Sequence, residues 1–237
     1  MSRKMLVVSA HAADFVWRAA GAIASVTQNG GTARIVALSY GERGESGELW
    51  KQPGQTEARV KEIRHLEGLE AARILGASFQ AFDLGDYPLK IDDAALERLT
   101  KIIADDAPDL ILTHAERDPF NPDHPVAFAA TERARQLASG AGVASAFNTV
   151  RPPELLLFEP HQPELCGFVP TTFLDITPVW ALKEQAMAAM GAQEYLRSYY
   201  SERAGHRANH ARRISGHKHI KQAEAFQRWL PQVVDEL

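Results

Sequence analysis

Short, apolar, β-branched runs alternate with helix-length segments from residue 5 to about residue 158, and this alternation limits the fold more than any other feature. Met5 to Ser9 reads as a buried strand, Phe15 to about Gln28 as a helix stopped by Asn29-Gly30-Gly31, and Ala33 to Ser39 as a second strand. A strand, a helix and a strand in that order form a right-handed parallel crossover. Helices are expected over Thr56 to Leu75, Ile91 to Asp105 and Pro125 to about Leu137, and strands over Phe79 to Leu84, Asp109 to Thr113 and Glu154 to Phe158. Further helices are expected over Pro178 to about Leu196 and roughly His219 to Leu230. Tyr40 to Gln55 reads as a loop, and Ala138–Arg151 and the basic run Arg203–Lys221 as irregular. The pattern predicts a Rossmann-like, doubly wound α/β fold with a mainly parallel sheet. We expect one domain over residues 1–237, with residues 203–237 as a C-terminal basic extension that carries a helix.

Composition excludes several function classes. The formal net charge is −4 with histidines neutral, which disfavours nucleic-acid or anionic-membrane binding. Cys166 is the single cysteine, so no intramolecular disulfide can form and a cytoplasmic location is the default expectation. The first apolar run is only a strand long and His11 follows it, so neither a signal peptide nor a membrane span is expected. The glycine fingerprints of dinucleotide and nucleotide sites are absent, as is the nucleophile elbow of serine hydrolases.

Sites in open α/β sheets form beyond the carboxyl ends of the strands. His11 and Asp14 follow the first strand there, and Glu42, Arg43, Glu45 and Glu48 follow the second. His114, Glu116, Arg117, Asp118, Asn121, Asp123 and His124 follow the strand that ends at Thr113. His11 and Asp14 can face one centre, and His124, at a helix start, can supply a second imidazole. Two histidines and a carboxylate leave coordination positions open, the pattern of a catalytic metal site; the plain alternative is that Asp14 only caps its helix. The nitrogen and oxygen donors suit Zn²⁺, and also Fe²⁺, Mn²⁺ or Co²⁺.

The ordered motifs resemble those of the LmbE-like, or PIG-L, family of zinc-dependent N-deacetylases. Ala10-His11-Ala12-Ala13-Asp14 stands where that family has A-H-P-D-D, and Gly41-Glu42-Arg43-Gly44 where it has a G-E-x-G loop. Arg64, Glu67, Ala71 and Leu75-Gly76 match its R-x-x-E helix. Thr113-His114 and Asn121-Pro122-Asp123-His124 match its T-H and H-P-D-H pieces, and Asp175-Ile176-Thr177-Pro178-Val179 with Lys183 its D-I-T-x-V…K. The resemblance implies His11, Asp14 and His124 as metal ligands.

Two departures matter more than the matches. The family's general base is replaced by Ala13, and the histidine that helps stabilise its oxyanion by Asn121. The pattern is similar to a hydratase branch of the family that acts in aromatic-acid catabolism. This implies metal-dependent addition of water to a C=C conjugated with a 2-oxo or 2-enol carboxylate, on a small anionic polycarboxylate, by a homo-oligomer. The alternatives are an N-deacetylase with another base and a silent metal-binding protein. With Ala13 inert, Glu48 and His161 are the candidate acid–base residues, although a loop glutamate is often solvated surface and His161 a turn residue. Arg43, Arg117 and Asn121 are candidates for gripping substrate, and His114 and Asp123 for orienting the ligands. The basic run Arg203–Lys221 reads either as a substrate-gripping arm or as a solvated or interface segment.

Overall fold

The computed structural model describes residues 2–143 and 148–234. A seven-stranded sheet runs in the order β3-β2-β1-β4-β5-β7-β6. Its strands are β1 (Lys4–Ser9), β2 (Thr32–Ala37), β3 (Ser78–Ala81), β4 (Leu110–Thr113), β5 (Glu154–Phe158), β6 (Thr172–Asp175) and β7 (Ala223–Arg228). The first five are parallel, with Val7 opposite Ile35 on one side and Leu112 on the other. β7 pairs antiparallel with both β5 and β6.

The helices are α1 (Asp14–Gln28), α2 (Gly47–Trp50), α3 (Glu57–Ile74), α4 (Asp93–Asp106), α5 (Asp123–Ser139), α6 (Pro163–Cys166), α7 (Trp180–Ala188) and α8 (Leu196–Ser215). Alternation along β1 divides the core into two layers. Met5 and Val7 pack with α1, α3 and α7, whereas Leu6 and Val8 pack with α4 and α5. Burial of both strand faces explains the continuous apolar runs. The expected Rossmann-like parallel core is therefore present. No helix among the described residues is long and apolar enough to cross a membrane.

The C-terminal part differs from expectation. Residues 223–228 form a strand, not a helix. Ala, Glu, Gln and Arg favour a helix, but Glu224 and Phe226 face α1 while Ala223 packs against α8. The open slot between β5 and β6 decides the conformation. The run from Arg203 is largely helical: α8 continues to Ser215 and closes on Gly216 at φ 75°. Helix 178–196 is broken into a 3-10 turn, α7 and a second 3-10 turn at Gly191–Gln193. Residues 144–147 of the irregular stretch lie outside the described residues.

Candidate active site at the carboxyl ends of the strands

The strand order reverses between β1 and β4, and the predicted residues meet there. His11 and Asp14 come from the β1–α1 turn, and Asp14 accepts a hydrogen bond from the His11 backbone N–H at 2.9 Å. The plain capping role is not what holds α1, since its N-cap is Ala13, without a side-chain cap. His124 opens the first turn of α5. Glu45 enters from the loop after β2, and His11, Asp14, Glu45 and His124 each offer a ligand atom within 4.8 Å of the others.

His11 Nδ1 lies 3.2 Å from Asp14 Oδ2 and 3.4 Å from Glu45 Oε1, and His124 Nε2 lies 3.4 Å from Asp14 Oδ1. Ligand atoms at tetrahedral positions about 2.1 Å from a cation would lie about 3.4 Å apart, the spacing of the His11–Asp14 and Asp14–His124 pairs. His11 Nδ1 and His124 Nε2 are buried without a hydrogen-bond partner among the described residues. These orphaned atoms and the donor set fit a divalent cation. Burial alone would lower the His11 pKa, but Glu45, Asp123 and Asp14 hold it well above its usual value, so the pocket favours positive charge at this point.

The second nitrogen of each imidazole is held by a carboxylate. His11 Nε2 donates to Asp123 Oδ2 at 3.2 Å, and His124 Nδ1 donates to Asp118 Oδ2 at 2.8 Å. Carboxylates in these places fix the tautomer and leave the opposite nitrogen free for a cation. Asp123 is fixed in turn by the backbone N–H groups of Tyr87 and Leu89. His114 works differently. Its ring stacks on His124 at 4.1 Å and its Nε2 accepts the Ala10 N–H. Burial, then the neighbouring His124, pushes its pKa down to about 3, so it is a neutral platform rather than a proton carrier.

Glu45 brings a carboxylate to the cluster, and Ala13 brings none. Ala13 is fully buried in the apolar layer beneath α1. Glu45 Oε1 accepts from Asn121 Nδ2 at 2.7 Å, and Oε2 from Gln193 Nε2 at 3.3 Å. Gln193 is oriented because its own oxygen accepts from Trp17 Nε1 and Arg64 Nη2. Arg64 also binds Glu67, and Glu67 accepts the Ala192 N–H, so the R-x-x-E helix holds the turn that steadies Glu45. On the other side, Asp86 accepts the N–H groups of Arg43 and Gly44. Gly44 must be glycine, since a Cβ there would sit 2.1 Å from the Tyr87 ring.

Three expected site residues are not brought in. Glu48 lies on α2 with its side chain 53% exposed, paired with Lys51, so Glu45 replaces it as the cleft carboxylate. Arg43 points away to Glu57. Arg117 is exposed and outside the residues lining the cleft. The separation is steric: Asp86 grips the backbone at Arg43, and α2 turns Glu48 outward. The cleft, of about 200 Å³, is lined by Asp14, Arg18, Glu45, Asn121, His124 and His161 among others. His161 is half-buried, stacked on Tyr199 at 4.1 Å. Burial, then the charges of Arg18 and Arg203, lowers its pKa. The substrate-arm reading of the basic run also changes. Arg203 and Arg207 turn inward to Glu159, and Arg203 holds the His161 carbonyl.

Sequence reasoning missed Arg18 and Gln193 as parts of this site, and placed Asp118 and Glu45 beyond the strand ends without giving either a role. Arg18 carried a signal, being the one charge in the apolar run Phe15–Ala24.

Comparison with known proteins agrees with this architecture. The sequence model of the PIG-L family, GlcNAc-PI de-N-acetylase, matches residues 6–135. The chain is 44% identical to a 4-oxalmesaconate hydratase of Pseudomonas putida KT2440, over 99% of this chain and 92% of that protein. It superposes on the crystal structure of GalB, the 4-carboxy-2-hydroxymuconate hydratase of the same organism, with a TM-score of 0.96, 44% identity and 99% coverage of both chains. N,N'-diacetylchitobiose deacetylase of Pyrococcus horikoshii shares the fold at a TM-score of 0.78 and 20% identity, over 95% of this chain and 83% of that one. The chain belongs to the PIG-L, or GlcNAc-PI de-N-acetylase, family.

Proposed function

We propose that this protein is a metal-dependent hydratase that adds water to the conjugated C=C of 4-oxalomesaconate, or of its enol tautomer 4-carboxy-2-hydroxymuconate, giving 4-carboxy-4-hydroxy-2-oxoadipate. The observation that carries the reading is the pairing of an apolar Ala13 with Glu45 set against the His11–Asp14–His124 cluster. The deacetylase base is gone, and a different carboxylate stands in the cleft. The similarity to hydratases over the whole chain supports the same reaction.

His11, Asp14 and His124, three members of the cluster that also includes Glu45, would hold the divalent cation, with Zn²⁺ the first candidate by donor set. When bound, the cation supplies Lewis-acid polarisation of the substrate's oxo and carboxylate oxygens, or acidifies a water. Glu45 takes a proton from the attacking water while a C–O bond forms and the C=C π bond breaks. Asn121 and Gln193 hold Glu45 in position. His161 faces the same cleft and donates a proton to the neighbouring carbon, and the proton taken by Glu45 returns to His161 through solvent, so that one water is added overall. The reading includes a cytoplasmic location and a homo-oligomeric state.

The test follows near-UV absorbance after adding the ring-cleavage product of gallate to protein of known metal content. Chelator-sensitive loss of the enol signal is expected. Metal-loaded protein that leaves the signal unchanged, or releases acetate from N-acetyl sugars instead, rejects the hydratase reading. A second outcome concerns the cation alone. Asp118→Ala frees the His124 ring and should weaken divalent-metal binding by about 10–100-fold, measured by competition with a chelating dye.

A further inference from the structure

Arg18 is the single lysine or arginine among the residues lining the cleft, where it stands with the carboxylates of Asp14, Glu45 and Asp118. Its side chain is 7% exposed, and its nearest ionic contact is Asp14 Oδ1 at 3.6 Å, longer than a hydrogen bond. No guanidinium nitrogen hydrogen-bonds to a described residue, and Nε is buried without a partner. Asp14 is already committed, to the His11 N–H and to the two imidazoles. A desolvated guanidinium left this way is a costly group to keep unless an anion completes it.

The backbone that carries Arg18 is rigid. Glu224 accepts the N–H groups of Gly21 and Ala22, and Lys183 Nζ donates to the Trp17 carbonyl. Asp14 and Arg18 are four residues apart on α1, so a ligand residue and a cation stand about one helical turn, roughly 5.4 Å, from each other on one fixed element. Such a ruler suits a substrate that presents oxygens to the cluster and a further carboxylate beyond it.

We propose that Arg18 is the carboxylate anchor of the cleft: its guanidinium forks onto a substrate carboxylate that is not at the metal cluster, and thereby selects polyanions over neutral amides. The proposal rests on the hydratase reading for the identity of the substrate, but not for the anchor itself. It assigns to Arg18 the gripping role that the sequence suggested for Arg43 and Arg117. Guanidinium is the apt group because its planar fork matches a carboxylate, which a lysine ammonium does not.

The experiment uses full-length, metal-loaded protein as wild type, Arg18→Ala and Arg18→Lys. Calorimetric titration with an inert probe, propane-1,2,3-tricarboxylate, is compared with titration by glutarate, which lacks the middle carboxylate. Wild type should prefer the tricarboxylate, and Arg18→Ala should lose about 100-fold in tricarboxylate affinity and with it the preference. In turnover, the loss should fall on KM more than on kcat, with bound metal per chain unchanged. Millimolar guanidinium should restore at least part of the loss in Arg18→Ala, which a merely structural defect would not allow. Arg18→Lys, which keeps the charge without the fork, gives the second reading if the alanine variant fails to fold, with about tenfold weaker binding expected. Equal tricarboxylate binding by wild type and either folded variant overturns the anchor, as does a wild type without preference between the probes. Wild type that prefers the tricarboxylate but turns over no enol retires the hydratase reading and leaves the anchor standing.

Discussion

Glu45→Gln should lower kcat by about 10²–10⁴-fold while KM and bound metal stay near wild type. The change keeps the side chain's size and its contact with Asn121, whose Nδ2 can still donate to the amide oxygen, but gives up the weaker contact with Gln193 Nε2 and removes the ability to take a proton. At about 1.36 kcal/mol per decade, that range corresponds to roughly 3–5 kcal/mol of transition-state stabilisation. Glu48→Ala is the matched control, because Glu48 is exposed on α2 with only Lys51 as partner. Exposed pairs of this kind contribute about 0–1 kcal/mol, so Glu48→Ala should leave both kcat and stability close to wild type. Single-turnover rates and metal analysis on the same samples separate the outcomes. Loss of metal with loss of rate in Glu45→Gln would make Glu45 a ligand rather than a base. A tenfold or larger loss in Glu48→Ala would return the base to α2.

That comparison also shows where sequence reading ends. Glu42, Glu45 and Glu48 recur every third residue in one loop, and apart from the place of Glu42 in the G-E-x-G loop nothing local distinguishes them. Contacts from distant elements do so. Glu42 is buried near Lys61, Glu45 is drawn in by Asn121 and Gln193, and Glu48 is left to solvent. The ligand residues were easier to read because strand ends define where a site can form, and His11, Asp14 and His124 all lie within a few residues of such ends or helix starts. The carboxylates behind the imidazoles were half legible. Asp123 adjoins His124 in sequence but serves His11, while Asp118, six residues before His124, is the one that serves it. Arg43 and Arg117 looked like substrate grips by position, whereas Arg18 was hidden inside an apolar helix, where a charge reads as an exception to the core rather than as part of a cleft.

The C-terminal strand teaches the same lesson through energetics. Ala223–Arg228 has a helix-favouring composition and becomes β7 in the slot between β5 and β6, which sets Glu224 against α1 and α7. Lys183 of α7 pairs with Glu224 at 2.6 Å, with side chains 2% and 5% exposed. The matched D-I-T-x-V…K motif is thereby explained. Ile176 packs so closely on Gly21 that a Cβ there would approach it to 2.5 Å, and Lys183 ties α7 to both α1 and β7.

Removing one partner of the Lys183–Glu224 pair should therefore be the largest single-residue loss of stability in the molecule. Lys183→Met leaves Glu224 as a buried, uncompensated carboxylate, and a broken buried pair costs about 3–5 kcal/mol. For a chain of this size each kcal/mol shifts Tm by about 2–4 °C, so a fall of about 6–20 °C is expected by calorimetry. Lys183→Met combined with Glu224→Gln should recover part of the loss. No charge is then stranded, and the amide oxygen can still accept one of the Gly21 and Ala22 N–H groups that Glu224 satisfies. A double-mutant coupling of about 0.5–3 kcal/mol would mark the pair as interacting. A single variant within 1 kcal/mol of wild type would show that the pair holds little, and that helix α1 needs no such brace. The effect should also reach the site, since Asp14 and Arg18 stand on the braced helix. Folded Lys183→Met should therefore bind tricarboxylate more weakly than wild type at temperatures well below its own transition, whereas a brace confined to global stability would leave that affinity unchanged.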